Sequence, residues 1–274
     1  MKQKIIAEIG INHQGNLATA EKMIERALDL GADYVKIQMR DPETSVPKAM
    51  WDEPKQTPWG TLETYLDYRK MMEFDDEEIK YLNRRAKGRL FPSVFDVISL
   101  ERALSIGFRT IKIPSAMLTN NSLLSAAKDS ADEVIISTGM STADEIMDAV
   151  RVFDGNDNLI IMHCHSAYPA PDDELNLNAI KLLKRMFPYH SIGYSSHSAS
   201  PYPPIYAMVL GAEAVEVHFT LDRTWLGSDH AASLEPAGLS LVCRERDRLN
   251  VVLGQEVLKL YDSELPSRTK LRGA

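Results

Sequence analysis

The chain has 274 residues, of which 44% are hydrophobic, 26% charged and 7% aromatic, with 14 Gly, 14 Pro and 2 Cys. Its 31 basic and 39 acidic residues leave a net charge of −8, which argues against nucleic acid or an anionic membrane as a generic partner and requires any anion site to make its positive field locally. No stretch approaches the roughly 18 apolar residues of a membrane span or resembles a secretory leader, so the expectation is a cytoplasmic globular protein of one large domain or two small ones.

Residues 5–9 read as the first strand, followed by a Gly/Asn/His loop and a helix at 17–30 with Gly31 at its C-cap. Residues 34–37 are the second strand. A long insertion, 39 to about 74, rich in Pro, Trp and Tyr, precedes a helix that starts near Asp75 with an acidic first turn. A connection of that length suggests a lid over a site. The alternation then continues as strand 90–93 with helix 97–106 and Gly107, strand 110–113 with helix 121–127, and strand 133–137 with helix 142–153. Strand 159–163 with helix 176–186, strand 191–195 with helix 203–210, and strand 214–219 with helix 236 to about 253 complete the series.

Eight strands each followed by a helix predict parallel pairing through right-handed crossovers and an α/β fold, the (βα)8 TIM barrel. A doubly wound open sheet is the alternative, but it calls for GxGxxG after the first strand, and the chain has IGINHQG there. The barrel is expected to span 1–253, with 254–274 a tail or linker. Cys164 falls in a strand and Cys243 in a helix, without metal-site spacing, and both are expected to be reduced structural thiols.

TIM barrels carry their working groups at the C-terminal ends of the strands. Here those ends offer Glu8 with Asn12 and His13, then Lys36 and Gln38, Ser93, Lys112 and Ser115, Ser137 and Thr138, and His163 with Ser166 and Tyr168; Ser195 with His197 and Glu216 with His218 complete the set. Lys36 and Lys112 interrupt the apolar runs YVKIQ and TIKIP, where a buried ammonium needs a compensating anion. That anion is either Glu8 or Glu216, or a bound phosphate or carboxylate ligand, for which Ser93, Ser115, Ser137 and Ser195 would supply neutral donors. His197 and His218, on adjacent strands, either share a divalent ion such as Mn²⁺, Fe²⁺, Co²⁺ or Zn²⁺ or are hydrogen-bonded loop histidines. Of the remaining histidines, His13 and His163 are expected to be nearest the pocket.

The segments AEIGINHQGN at 7–16, VKIQ at 35–38, IKIPS at 111–115, STGMST at 137–142, HCHSAYPAP at 163–171, GYSSH at 193–197 and VEVHFTLDRTWLGSDH at 215–230 resemble the sialic acid synthase family, in family order and spacing. The resemblance covers about residues 4–253. It implies a TIM-barrel transferase of carbohydrate biosynthesis that condenses phosphoenolpyruvate with N-acetylmannosamine or a related aldose, releases phosphate, and uses manganese, with magnesium, cobalt or iron as alternatives. By resemblance, Glu8 handles the proton of the sugar hydroxyl or of the attacking water, and His197 and His218 bind the metal; the resemblance assigns Lys36, Ser93, Lys112, Ser115, Ser137 and Ser195 to phosphoenolpyruvate, and Gln38, Tyr168 and Asp229 to the sugar.

Met117 stands where the family often has an acidic residue, Ser196 where Asp is usual, and Ser166 where Asn or Ser is common. These departures leave the identity of the sugar open. Most family members also carry a C-terminal antifreeze-like domain that reaches across a homodimer and offers an arginine to the partner's sugar site, and this chain stops before it. The expectation is a homodimer in which another Arg substitutes, or a separate antifreeze-like domain protein supplies one, or the substrate needs none. Alternatives to a nine-carbon product are another ulosonic acid, an unrelated barrel aldolase, or a barrel that binds phosphoenolpyruvate or sugar without turnover.

Overall fold

The computed structural model describes residues 2–57, 60–155 and 158–273; positions 58 and 59 of the insertion and residue 274 of the expected tail lie outside the described residues. The described strands are β1 (Lys4–Gly10), β2 (Tyr34–Met39), β3 (Pro54–Gln56), β4 (Leu62–Thr64), β5 (Leu90–Val94), β6 (Thr110–Ile113), β7 (Glu133–Ser137), β8 (Leu159–Cys164), β9 (Ser191–Ser196) and β10 (Ala214–His218). The helices are α1 (Leu17–Asp29), α2 (Pro42–Ser45), α3 (Tyr65–Met71), α4 (Asp76–Arg85), α5 (Val97–Ile106), α6 (Asn121–Ser130), α7 (Ala143–Val152), α8 (Ala179–Met186), α9 (Tyr202–Val209), α10 (Pro236–Leu253) and α11 (Leu265–Arg272). Eight strands close a parallel barrel in the order β1-β10-β9-β8-β7-β6-β5-β2, and β3 and β4 pair as a separate antiparallel hairpin. The TIM barrel expected from the alternation is therefore the fold.

The helices form where apolar spacing and caps coincide. α1 buries Ala20, Met23, Ile24 and Ala27, one face at helical period, and starts at Asn16, whose side chain accepts from the Thr19 amide. It ends one residue earlier than expected, at a Leu30 cap. α4 and α7 begin with reciprocal capping boxes, Asp75 with Glu78 and Thr142 with Glu145.

The N-terminal half of the barrel interior is packed with side chains. Lys4 and Glu133 pair at 3.2 Å near the N-terminal mouth. Next, Ile6, Tyr34, Phe91, Ile135 and Ile160 surround a void of only about 10 Å³. Because side chains alternate along a strand, the next inward positions on β1, β2 and β6 are Glu8, Lys36 and Lys112, and the interior changes there from apolar to charged.

The insertion departs from expectation. Residues 39–74 are not a plain loop: they fold as α2, a 3-10 turn at Lys48–Met50, the β3–β4 hairpin and α3. Elements of three to seven residues are too short for hydrophobic period to register, so their Pro and aromatic content read as loop. Within 254–273, a 3-10 turn at Asp262–Glu264 and α11 lie outside the core with exposed side chains. Among the described residues no helix is long and apolar enough to cross a membrane.

Candidate active site

At the C-terminal ends of the barrel strands lies a cavity of about 350 Å³ lined by every residue that the family resemblance assigned to the site, Glu8, Lys36, Gln38, Ser93, Lys112, Ser115, Ser137, Tyr168, Ser195, His197, His218 and Asp229, but not by the strand-end candidates Asn12 and Thr138. With Cys164 from β8, all eight barrel strands contribute to its wall. His13 and His163 depart from expectation. His13 is buried against Phe74, ring centroids 4.4 Å apart, and His163 bonds the Leu175 carbonyl through Nε2 at 2.8 Å and lines a neighbouring cavity.

The floor is a buried charge cluster. Lys36 Nζ lies 2.5 Å from Glu8 Oε2 and 3.6 Å from Glu216 Oε1, and Lys112 Nζ lies 3.2 and 3.1 Å from the two Glu216 oxygens. All four residues are at most 4% exposed. The ion-pair alternative thus holds for both lysines, and both still line the cavity. Burial pulls both ammoniums down, but Lys36 faces two carboxylates and ends above its ordinary value, whereas Lys112 has Glu216 alone, is repelled by Lys36, and ends below. Burial pushes the Glu216 carboxyl up, and Lys112 and Lys36 outweigh it, holding the group at about 2. Ser195 Oγ also donates to Glu216 at 3.1 Å, and Gln38 Nε2 donates to Glu8 at 3.3 Å.

On the β6–β8 side a hydroxyl cradle forms. The Gly139 amide donates to Ser115 Oγ at 3.0 Å, while the buried hydroxyls of Ser137 and Ser166 have no partner among the described residues. A Cβ at Gly139 would come within 2.2 Å of Ser166 Oγ and 2.8 Å of Ser115 Oγ, so this close approach requires glycine. On the opposite side, Gly10 at φ +51° packs between Glu8, Gln38 and Asp229, each within 3.2 Å of a would-be Cβ.

His197 and His218 meet with ring centroids 5.2 Å apart. His197 Nδ1 lies 2.5 Å from the His165 carbonyl, which assigns the proton to Nδ1 and leaves Nε2 as the acceptor of the Tyr168 hydroxyl at 2.8 Å. Burial, reinforced by His218, lowers His197 to about 3 and keeps it neutral. His218 Nδ1 is buried without a hydrogen-bond partner, 3.7 Å from Asp229 Oδ2. Among the described residues no group of three or more His, Cys, Asp or Glu is gathered as a metal cluster. A neutral imidazole and an orphaned imidazole nitrogen beside a carboxylate are nonetheless donors that a borderline divalent ion takes, with remaining positions left to water or substrate. The residues present fit such an ion.

The lining residues that escaped the sequence reading include two arginines, Arg40 and Arg69. Arg40 had a signal, since it carries the alternation of Lys36 and Gln38 one position beyond the end of β2; Arg69 had none, because it reaches the cavity only through α3 of the insertion. Both cysteines are free and buried, as expected.

The NeuB family profile matches residues 23–258. The N,N'-diacetyllegionaminic acid synthase of Campylobacter jejuni is 35% identical over 96% of this chain and 81% of its own length. The human N-acetylneuraminate-9-phosphate synthase is 33% identical over 97% of this chain and 76% of its own. The crystal structure of an N-acetylneuraminic acid synthetase from Leptospira borgpetersenii, in complex with citrate, superimposes with a TM-score of 0.85 at 34% identity, covering 99% of this chain and 93% of that one. With the profile spanning most of the barrel and these relatives covering nearly all of the chain, the protein belongs to the NeuB family and is a synthase-like enzyme.

Proposed function

We propose that the protein condenses phosphoenolpyruvate with an aldose, N-acetylmannosamine or a related hexosamine, to give a nine-carbon 3-deoxy-2-keto sugar acid and phosphate. One observation carries the reading: side chains from all eight strands converge on a single cavity holding two lysines, a hydroxyl cradle and an orphaned imidazole. The names of the Campylobacter and human relatives support it. In the reaction, C3 of phosphoenolpyruvate bonds to the aldehyde carbon, water adds at C2, and the C2–O bond to phosphate breaks, so one water is consumed per phosphate released.

Lys36 and Lys112 hold the phosphate and carboxylate of phosphoenolpyruvate with Ser93, Ser115, Ser137 and Ser195. Because Glu8 and Glu216 already offset the two ammoniums, the neutral donors of the cradle carry much of the recognition. Glu8, fixed between Lys36 and Gln38, is the general base that takes the proton of the attacking water. Gln38, Tyr168 and Asp229 orient the sugar hydroxyls. His197 and His218 hold a divalent ion, manganese first with magnesium, cobalt or iron as alternatives, which when bound supplies Lewis acidity at the aldehyde oxygen. Phosphate release from phosphoenolpyruvate, measured across a panel of aldoses with and without Mn²⁺, tests the reading; release that no sugar stimulates above background would overturn it. A best substrate with a shorter carbon chain would redirect it to another ulosonic acid.

A further inference from the structure

The insertion brings two guanidiniums into the same wall. Arg69, on α3, is only 4% exposed, and its Nε and Nη2 have no hydrogen-bond partner among the described residues. Arg40, immediately after β2, lies over the Phe95 ring, Cζ 3.5 Å from its centroid, and donates from Nη2 to Gln38 Oε1 at 2.6 Å, while its Nε is also unpartnered. Glu73 and Asp229 are the nearby carboxylates, and Glu73 accepts the Arg40 backbone amide at 2.9 Å. Burial raises the Glu73 carboxyl to about 7 against the pull of the backbone bond and the arginines, so Glu73 balances the pair poorly. Burial and the neighbouring Arg69 in turn lower Arg40 to about 10. Two guanidiniums that line one cavity and keep N–H groups without acceptors are a site prepared for an anion with planar or tetrahedral oxygens.

We propose that Arg40 and Arg69 form a second anion subsite, and that the acceptor sugar carries a phosphate or carboxylate remote from its aldehyde. The proposal rests on the condensation reading above and deepens it. Arg40 is tied to the sugar side of the cavity through its bond to Gln38, whereas the phosphoenolpyruvate residues nearest to it, Lys36 and Ser93, stand earlier on β2 and on the adjacent β5. In the closed strand order β2 lies diametrically opposite β8, so Arg40, which follows β2, stands across the barrel from the Ser166 end of the cradle, which follows β8.

The test measures phosphate release from phosphoenolpyruvate with Mn²⁺ and three probe sugars: N-acetylmannosamine, its 6-phosphate and its 6-carboxylate. The expected result is a kcat/KM for one anionic sugar about 10- to 100-fold above that for the neutral one, the range of charge-assisted hydrogen bonds. Arg40→Met and Arg69→Met lose that preference, with the change in KM for the anionic sugar, not for phosphoenolpyruvate; Arg69→Lys retains part of it. Whether phosphate or carboxylate is preferred identifies the anion. Equal use of all three sugars by the wild type, or a rise in KM for phosphoenolpyruvate in the variants, overturns the proposal. If no sugar is turned over, the condensation reading fails separately, and calorimetry of the sugar 6-phosphate and 6-carboxylate with the wild type and Arg40→Met still decides the subsite: no binding of either, or binding unchanged by the substitution, overturns it. Arg40→Met carries the test alone should the Arg69 variants not fold.

Discussion

Replacing Glu216 by Gln removes one charge from the floor while preserving size and hydrogen-bonding capacity. Lys36 keeps Glu8 at 2.5 Å, but Lys112 loses its only carboxylate contact, at 3.1 Å, and, being 2% exposed, cannot turn to water. Breaking a buried pair costs about 3–5 kcal/mol. An independent ceiling comes from letting Lys112 lose its proton instead: for a group whose ordinary pKa is 10.5, neutrality costs about 4.8 kcal/mol at pH 7 and about 2 kcal/mol at pH 9. With an unfolding entropy of about 2.1 cal/mol/K per residue, a penalty of 3–4.8 kcal/mol lowers Tm by about 5–8 °C at pH 7, shrinking to about 3–4 °C at pH 9. The sign follows from linkage. In the variant the unfolded chain binds a proton that folded Lys112 has given up, so the folded variant gains stability relative to the unfolded chain as pH rises. Thermal melts of wild type and Glu216→Gln at both pH values check the reasoning. A variant that melts within a degree of wild type at pH 7, or whose deficit grows toward pH 9, would refute it. Adding Lys112→Met to Glu216→Gln should restore much of the loss, because the stranded charge is then gone.

Three further outcomes are expected. Glu8→Gln should lower kcat for phosphate release by about 10²–10⁴, the usual contribution of a positioned general base, and near wild-type turnover would remove Glu8 from that role. His218→Ala deletes the orphaned Nδ1 and should abolish Mn²⁺-dependent turnover with the circular dichroism spectrum unchanged; Mn²⁺ binding followed by electron paramagnetic resonance should weaken by more than the about 10–100-fold that loss of an outer hydrogen-bond partner brings, and retained affinity would sink the metal assignment. His13, 2% exposed, is lowered by burial from 6.5 to about 4. Between those values the unfolded chain takes a proton that the folded protein refuses, so stability falls as pH drops through the window, by up to about 3 kcal/mol. His13→Gln should flatten that slope in urea titrations by up to one proton, and an unchanged slope would show that another group causes it.

The strand–helix alternation, the barrel and most of the lining of its mouth were legible in the chain, because hydrophobic period and caps are local and because alternation aims Glu8, Lys36, Lys112 and Glu216 inward once the strands are placed. The sequence could also state that the two lysines needed anions. Which anions they meet was decided only by closure, since Lys112 and Glu216 are 104 positions apart and come together across the barrel. The same holds for Arg69, carried in by a short helix of an insertion with no readable period, and for His13 and His163, which leave from strand ends toward other surroundings. Local physics determines where a residue stands on its own element; what it faces depends on elements far away in the chain, and that was the part tertiary structure alone decided.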